Sequence, residues 1–457
     1  MKSTVLLLMM SVASFASGLN HSPNLNEAIE ILKEKNLEIK VARLDIKSAK
    51  EDETIVNAKN WGKLDFTQDF ARSNDAGNVF GFKLTSREAN FGDFGAREFM
   101  ASQTPTGFPE SAYTTPPEDL NYPDDRNFFQ TKLKYELPLF TGFALSSYSE
   151  IMGEMSKLKS LEKEDIVNEK ILQLRKSYYN MALLNDSISN LNRILKNINI
   201  LEDMTRNMIE VGYAKHIDLL EVKAKKGNVE RLVLQMNANK SLLYHYISFL
   251  LNTSITDITT PSSTVVMPNS TDSDILSNNL DIKKATTGLQ IRKNMLKANQ
   301  AKYYPTVGAF GEVATADDTF LGDADDHFAY TVGARVSWNL FNGGSDSADI
   351  EKAKIEHLKM LSQLELAKSG IALKLAKIRT EIKSADEEIA SLEKELEFSD
   401  AIYKNYEGRY KEKLSSMSDV IIKQSAQIEK ILQLQIAKNR RNEKIFELEK
   451  LANGEIK

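Results

Sequence analysis

Residues Asn127–Phe140 (NFFQTKLKYELPLF) alternate so regularly that few environments suit them. One set is Phe129, Thr131, Leu133, Tyr135, Leu137 and Leu139; the other is Gln130, Lys132, Lys134 and Glu136. Successive side chains of a strand point to opposite faces, so a strand here is apolar on one side and polar on the other. Phe328–Phe341 (FAYTVGARVSWNLF) repeats the pattern: Phe328, Tyr330, Val332, Ala334, Val336, Trp338 and Leu340 oppose Thr331, Gly333, Arg335, Ser337 and Asn339. Lys63–Arg72 (KLDFTQDFAR) and Pro305–Val313 (PTVGAFGEV) also read as strands. The alternation suits a sheet in water with one packed face, and equally a barrel with lipid outside and a wet lumen inside. Length favours the barrel, because about 9–11 tilted residues cross the hydrocarbon. Aromatics near the strand ends (Trp61, Tyr135, Phe140, Tyr303, Tyr304, Trp338, Phe341) fit an interfacial girdle. Four strands cannot close a barrel, which usually takes about 8 or more, and open edges are not tolerated in lipid. A membrane reading therefore requires several copies, and three copies of four strands supply twelve.

The rest of the chain predicts long helices. With 10 prolines and 21 glycines in 457 residues, uninterrupted helices are permitted. Ala144–Ile209 contains no proline; at about 1.5 Å per residue it reaches roughly 100 Å. Leu184, Ile188, Leu191, Leu195 and Ile198 step by 4, 3, 4 and 3, which is either a coiled-coil seam or the core stripe of a helical bundle. Thin helix pairs bury little alone, so neighbouring pairs and subunits must stabilise them.

The plan is duplicated: helix, strand, loop, strand, very long helix, short break, long helix. The first repeat is placed at residues 19–272. It holds a helix over Leu25–Lys59, strands 63–72 and 127–140 around a long loop 73–126, and helices 144–251 broken near Gly212. Its linker, 252–272, contains Pro261 and Pro268. The second repeat, 273–457, holds a helix over Ser273–Tyr303, strands 305–313 and 328–341 around a short acidic loop, Asp317–Asp326, and helices 345–453 broken near Lys413–Ser416.

Several classes are excluded. A net charge of -5 leaves no basic excess for nucleic acid. The absence of cysteine excludes disulfides, thiolate metal sites and a lipid on an N-terminal cysteine. The histidines at 21, 216, 245, 327 and 357 have no ligand spacing, and no phosphate loop, nucleophile elbow or zinc motif occurs, so no cofactor, metal site or enzymatic activity is expected. Lys2, the apolar run Val5–Met10 and the small residues around Ala16-Ser17-Gly18 read as a signal peptide over residues 1–18. No segment of about 18 apolar residues predicts a transmembrane helix.

Short motifs recur in both halves. Leu25-Asn26-Glu27-Ala28-Ile29 opens the first. Leu137-Pro138-Leu139-Phe140-Thr141-Gly142 is echoed by Asn339-Leu340-Phe341-Asn342-Gly343-Gly344; Tyr304-Pro305 enters a strand; Gly212 is followed by Asp218-Leu219-Leu220. In order and spacing these make the chain, over about Leu25–Asn453, similar to the TolC family of outer-membrane efflux proteins. The resemblance implies a mainly α fold with a membrane β-barrel portion: a homotrimer whose twelve-stranded barrel stands on a twelve-helix α-barrel tunnel. It implies an outer-membrane location in a Gram-negative bacterium, in contact with outer-membrane lipid and with most of the chain in the periplasm. The partners would be a periplasmic adaptor (membrane fusion) protein and an inner-membrane pump of RND or ABC type. The function implied is a passive exit duct for tripartite efflux or type I secretion.

By the same resemblance, Pro138, Phe140, Gly142, Phe341, Gly343 and Gly344 form strand-to-helix corners, Pro305 the helix-to-strand entry and Gly212 the tip turn. Asp218, Glu221, Asp419 and Tyr410 are candidates for a periplasmic gate, since threefold symmetry would turn each acid into a ring; they are equally ordinary solvated or packing residues. The chain departs from the family at Asn339, where the first corner has Pro138, and at Trp61-Gly62, where the second half has Tyr304-Pro305. Ile422 replaces a second gate acid. Lys413 stands where a tip glycine is expected, leaving that turn free to differ. The competing reading is a periplasmic coiled-coil adaptor or scaffold without a pore.

Overall fold

Two buried asparagines organise the helical part of the chain. The computed structural model describes residues 22–261 and 265–453; the expected signal peptide lies outside them. Helix α1 (Leu25–Lys35) starts at a capping box, with Glu27 N–H donating to Asn24 Oδ1 at 3.0 Å and Asn24 N–H to Glu27 Oε2 at 3.0 Å. The backbone leaves the helix at Asn36 and re-enters as α2 (Leu37–Ala58). The Asn36 amide donates to the Leu250 carbonyl at 2.8 Å, and its Oδ1 accepts from Ile39 N–H at 3.1 Å. One side chain thus satisfies a carbonyl at the end of α7 (His216–Leu251) and caps the start of α2.

The second half repeats this. Helix α8 (Asp272–Asn278) gives way to α9 (Leu280–Gln300) at Asn279. Its amide donates to Leu451 O, at the end of α11 (Met417–Leu451), at 3.0 Å; its Oδ1 accepts from Asp281 and Ile282 N–H at 3.0 and 3.2 Å. The single helices expected over Leu25–Lys59 and Ser273–Tyr303 are therefore each broken in two.

The chain divides into two units that cut across the sequence repeats. One takes residues up to Ser48, Ser156–Leu289 and Lys359 onward; the other takes Ala49–Met155 and Gln290–Leu358. In the first, the opening helix of each repeat packs on the long hairpins. Ala28, Ile29 and Leu32 bury against Ile171, Leu174 and Tyr178 of α6 (Ala144–Glu210) and Ile247 and Leu250 of α7. Ile275 buries among Ile371, Leu375, Ile378 and Ile382 of α10 (Ser345–Lys411) and Phe446 and Leu448 of α11. Of the expected seam, Leu191 and Ile198 are buried and Leu195 packs beside them. Their partners are Val222 and Val229 of α7, Tyr403 and Tyr410 of α10 and Val420 and Ile428 of α11. The stripe is the core of a four-helix packing.

The Arg175 guanidinium lies 4.5 Å over the Phe446 ring and donates to the Glu449 carboxylate. Burial pushes the Glu449 carboxyl above its usual range, and Arg175 opposes the rise.

The second unit holds one antiparallel sheet in the order β1 (Lys63–Ser73), β2 (Arg126–Phe140), β3 (Thr306–Asp317), β4 (Ala329–Ser337). Two strand limits differ from expectation by more than one residue. β3 runs on to Asp317, because Phe129 of β2 is there to pair with it. β4 stops at Ser337, opposite Thr306, the first residue of β3; Pro305 before it has no N–H to offer. Trp338, Leu340 and Phe341 therefore lie beyond the strand and not on its face. The stretch 73–126 contains three short helices, α3 (Ala76–Thr85), α4 (Ala96–Ala101) and α5 (Glu118–Asn121).

Asn36→Ala or Asn279→Ala leaves a buried helix-end carbonyl unmatched and should cost about 1–3 kcal/mol. Thermal unfolding followed by circular dichroism should show a lowered midpoint for either, and a loss close to the sum for both. Arg175→Ala strands the half-buried Glu449 carboxylate and should cost about 2–4 kcal/mol at neutral pH. A carboxyl raised in the folded state favours folding below its unfolded pKa and loses that advantage as pH rises through the folded value. Unfolding midpoints across mildly acidic pH should therefore show the variant recovering stability as pH falls.

Candidate functional site

The strand register places the alternations in phase up to the shift after Pro138. Leu64, Phe66 and Phe70 pair with Tyr135, Leu133 and Phe129; Leu133 and Leu137 pair with Val313 and Ala309; Val313, Gly311 and Val307 pair with Tyr330, Val332 and Val336. Directly paired residues share a face, so these form one continuous apolar surface. The opposite face carries Lys63, Asp65, Lys132, Lys134, Glu136, Glu312, Thr331 and Arg335, with Lys132 and Glu312 3.7 Å apart. The apolar face is uncovered: Phe66 is 67% exposed, Tyr330 73% and Val332 77%. Water-facing surfaces of this kind are rare on soluble monomers. β1 and β4 are free edges of the sheet among the described residues.

The corners follow from backbone geometry. Pro138 lies inside β2 opposite Gly308, beside a register shift between Pro138 and Phe140. A bulge is where a strand interior tolerates proline. Phe140 ends β2. Gly142 has φ 62°, and a Cβ there would sit 2.6 Å from the Ala301 carbonyl oxygen, so conformation and space both require glycine. At the other corner Gly343 and Gly344 have φ 58° and 84° but face open space, and Phe341 is exposed. Pro305 directly precedes β3.

The two interhelical turns of the helical unit match. At Gly212 (φ 79°), its N–H donates to Ile209 O at 3.1 Å and Tyr213 N–H to Met208 O at 2.7 Å. At Lys413 (φ 63°), its N–H donates to Tyr410 O at 2.9 Å and Leu414 N–H to Arg409 O at 2.7 Å. Lysine thus adopts the left-handed conformation that glycine takes in the first turn, and its ammonium sits 3.4 Å from the Tyr213 ring centroid.

Each turn is followed by a helix whose first-turn acid is a cap. Asp218 Oδ2 accepts from Lys215 N–H at 2.8 Å. Asp419 Oδ2 accepts from Ser416 Oγ at 2.7 Å and Ser416 N–H at 3.1 Å, while Asp419 N–H donates to Ser416 Oγ at 3.1 Å. The Ser416 hydroxyl and N–H hold the Asp419 carboxyl below its usual range. Glu221 follows Asp218 on the same helix. Tyr410 is buried, with its hydroxyl 3.3 Å from Thr205 Oγ1, which donates to Leu201 O at 2.7 Å. Burial pushes the Tyr410 phenol up, the hydrogen bond to Thr205 opposes the rise, and the Asp218 carboxylate adds to it.

Thr205, Tyr403 and the docking asparagines were not singled out by sequence. The asparagines had a signal: Asn36-Leu37-Glu38-Ile39-Lys40 recurs as Asn279-Leu280-Asp281-Ile282-Lys283.

Residues 273–454 match the family model described as outer membrane efflux protein. No curated relative matches the chain in sequence. That matched stretch and the residues before it are together similar to solved channels. The channel-forming CusC matches at TM-score 0.78 and 13% identity, over 94% of this chain and 92% of that one. The open-state MtrE outer membrane channel of Neisseria gonorrhoeae matches at 0.75 and 16%, over 95% and 90%. The outer membrane protein VceC of Vibrio cholerae matches at 0.76 and 14%, over 95% and 97%. The fold is therefore that of the TolC-like channels, mainly helical with a four-stranded antiparallel sheet.

Gly212→Val places a β-branched residue at positive φ and should cost about 1–3 kcal/mol. Gly212→Lys, copying the conformation of Lys413, should cost about 1–2 kcal/mol. Urea unfolding of the two variants should rank them in that order.

Proposed function

We propose that the chain is the outer-membrane exit duct of a tripartite efflux or type I secretion system, carrying substrates passively after an inner-membrane pump delivers them. The observation that carries this reading is the sheet: one uncovered apolar face, one charged face and two free edges, in a chain folded like outer membrane channels. Three copies joined edge to edge would make a twelve-stranded barrel, with apolar residues toward lipid and Lys132, Lys134, Glu312 and Arg335 toward a wet lumen. The helical hairpins of the three copies would form the tunnel wall. The fold and the family match support this; the assembly, the adaptor and the pump are the proposed part.

The gate would sit at the two interhelical turns. Threefold symmetry repeats Asp218 and Asp419 as rings of carboxylates, which favour cations at a constriction. Buried Tyr410 and Thr205 tie α10 to α6. Binding of adaptor and pump would loosen these helices and widen the entrance.

Asp218→Asn with Asp419→Asn removes charge while asparagine keeps a capping oxygen. Planar-bilayer recordings should show higher resting conductance and weaker cation preference in this double variant. Conductance and selectivity equal to wild type would remove both acids from the gate. Tyr410→Phe with Thr205→Val, which cuts the hydroxyl link, should also raise the resting conductance.

A further inference from the structure

The two connections at the far end of the sheet fold to opposite faces. In the short one, Phe320 packs 6.2 Å from Phe70 and 6.3 Å from Phe129, ring centroid to centroid. Phe70 and Phe129 pair on the apolar face, so this connection stays on the side assigned to lipid.

The long connection goes the other way. Phe128 and Arg126 alternate with Asn127 and Phe129, so they share the face of Gln130, Lys132 and Lys134. The Phe82 ring of α3 stacks flat on Phe128 at 4.3 Å and 10°. The Arg126 guanidinium donates to the carboxylate of Glu88, just after α3, and lies 3.8 Å from Asp318. Phe128 is buried despite lying at the end of an otherwise polar face. α3 also packs against β3.

The direction of α3 is set where β1 ends. Ser73 Oγ accepts from Asp75 N–H at 3.1 Å and from the Asn78 amide at 3.2 Å, and Asp75 caps the helix by accepting from Asn78 N–H at 3.0 Å. Lys83 then ties α3 to Asp93 at 2.5 Å, and α4 and α5 pack on the Phe91–Phe94 turn. A stacked ring pair, an ion pair and a capped start therefore hold a folded insertion on the charged face, with little slack before α3.

We infer that the insertion 73–126 is an inward-folded constriction over the exit of the duct, three copies of α3 narrowing the lumen at the mouth and setting the size of what leaves. This rests on the barrel reading above, because only closure of the sheet makes the charged face a lumen. It places a second size-selective point in the chain, distant in sequence from the acidic turns.

The native chain has no cysteine, so single reporters are clean. Thr331→Cys sits on the charged face opposite Glu312, and Asp325→Cys sits on the exposed short connection. Intact cells would be treated with a small charged maleimide and with a bulky polyethylene-glycol maleimide. Both reagents should label Asp325→Cys, whereas only the small one should label Thr331→Cys. Removing residues 76–121, or unlocking the insertion with Phe82→Ser and Glu88→Gln, should let the bulky reagent label Thr331→Cys as fast as the control. Equal bulky labelling of Thr331→Cys with and without these changes overturns the constriction while leaving the duct intact. Failure of either reagent to label Asp325→Cys on intact cells overturns the outer-membrane reading itself.

Discussion

A four-stranded sheet with two free edges and a bare apolar face cannot be stable as it stands in either solvent. In water the apolar face is exposed; in lipid the unpaired N–H and C=O groups of β1 and β4 are. Edge-to-edge closure with further copies removes both faults at once. It pairs the edges, turns the apolar face to hydrocarbon and encloses Lys132, Lys134, Glu312 and Arg335 around water. The proposed trimeric duct would thus follow from how this sheet must satisfy its backbone.

The helical unit meets a related difficulty by duplication. A long hairpin has few buried residues per turn, so each one gains an opening helix packed across it. Asn36 and Asn279 solve the same local conflict in the same way, giving one side chain to a helix-end carbonyl and to the next helix start. The matched turns at Gly212 and Lys413 extend the correspondence to the other ends of the hairpins, even though one residue is glycine and the other is not.

Much of this was legible in the sequence. Strict alternation in Asn127–Phe140 located a strand to within a residue, because period two is unambiguous when one face is charged. Strand ends were less legible: Trp338 and Leu340 continue the alternation past Ser337, but a strand ends where its partner does, and that is a tertiary fact. The helix breaks at Asn36 and Asn279 were hidden because helical spacing carries on through them; only the repeated Asn-Leu-acid-Ile-Lys marked them. The helices within 73–126 were masked by Gly77 and Gly81 inside α3 and by the prolines and glycines around the short α4 and α5. At the turns, spacing placed Asp218 and Asp419 just after the breaks, but their capping of α7 and α11 became visible only with the backbone.

The most direct test is the native mass of the protein extracted in detergent from isolated outer membranes. The account predicts a trimer in that fraction, the number of copies that turns four strands into a closed barrel. A monomer, or protein recovered only from the soluble periplasm, would contradict it and favour a helical scaffold without a pore.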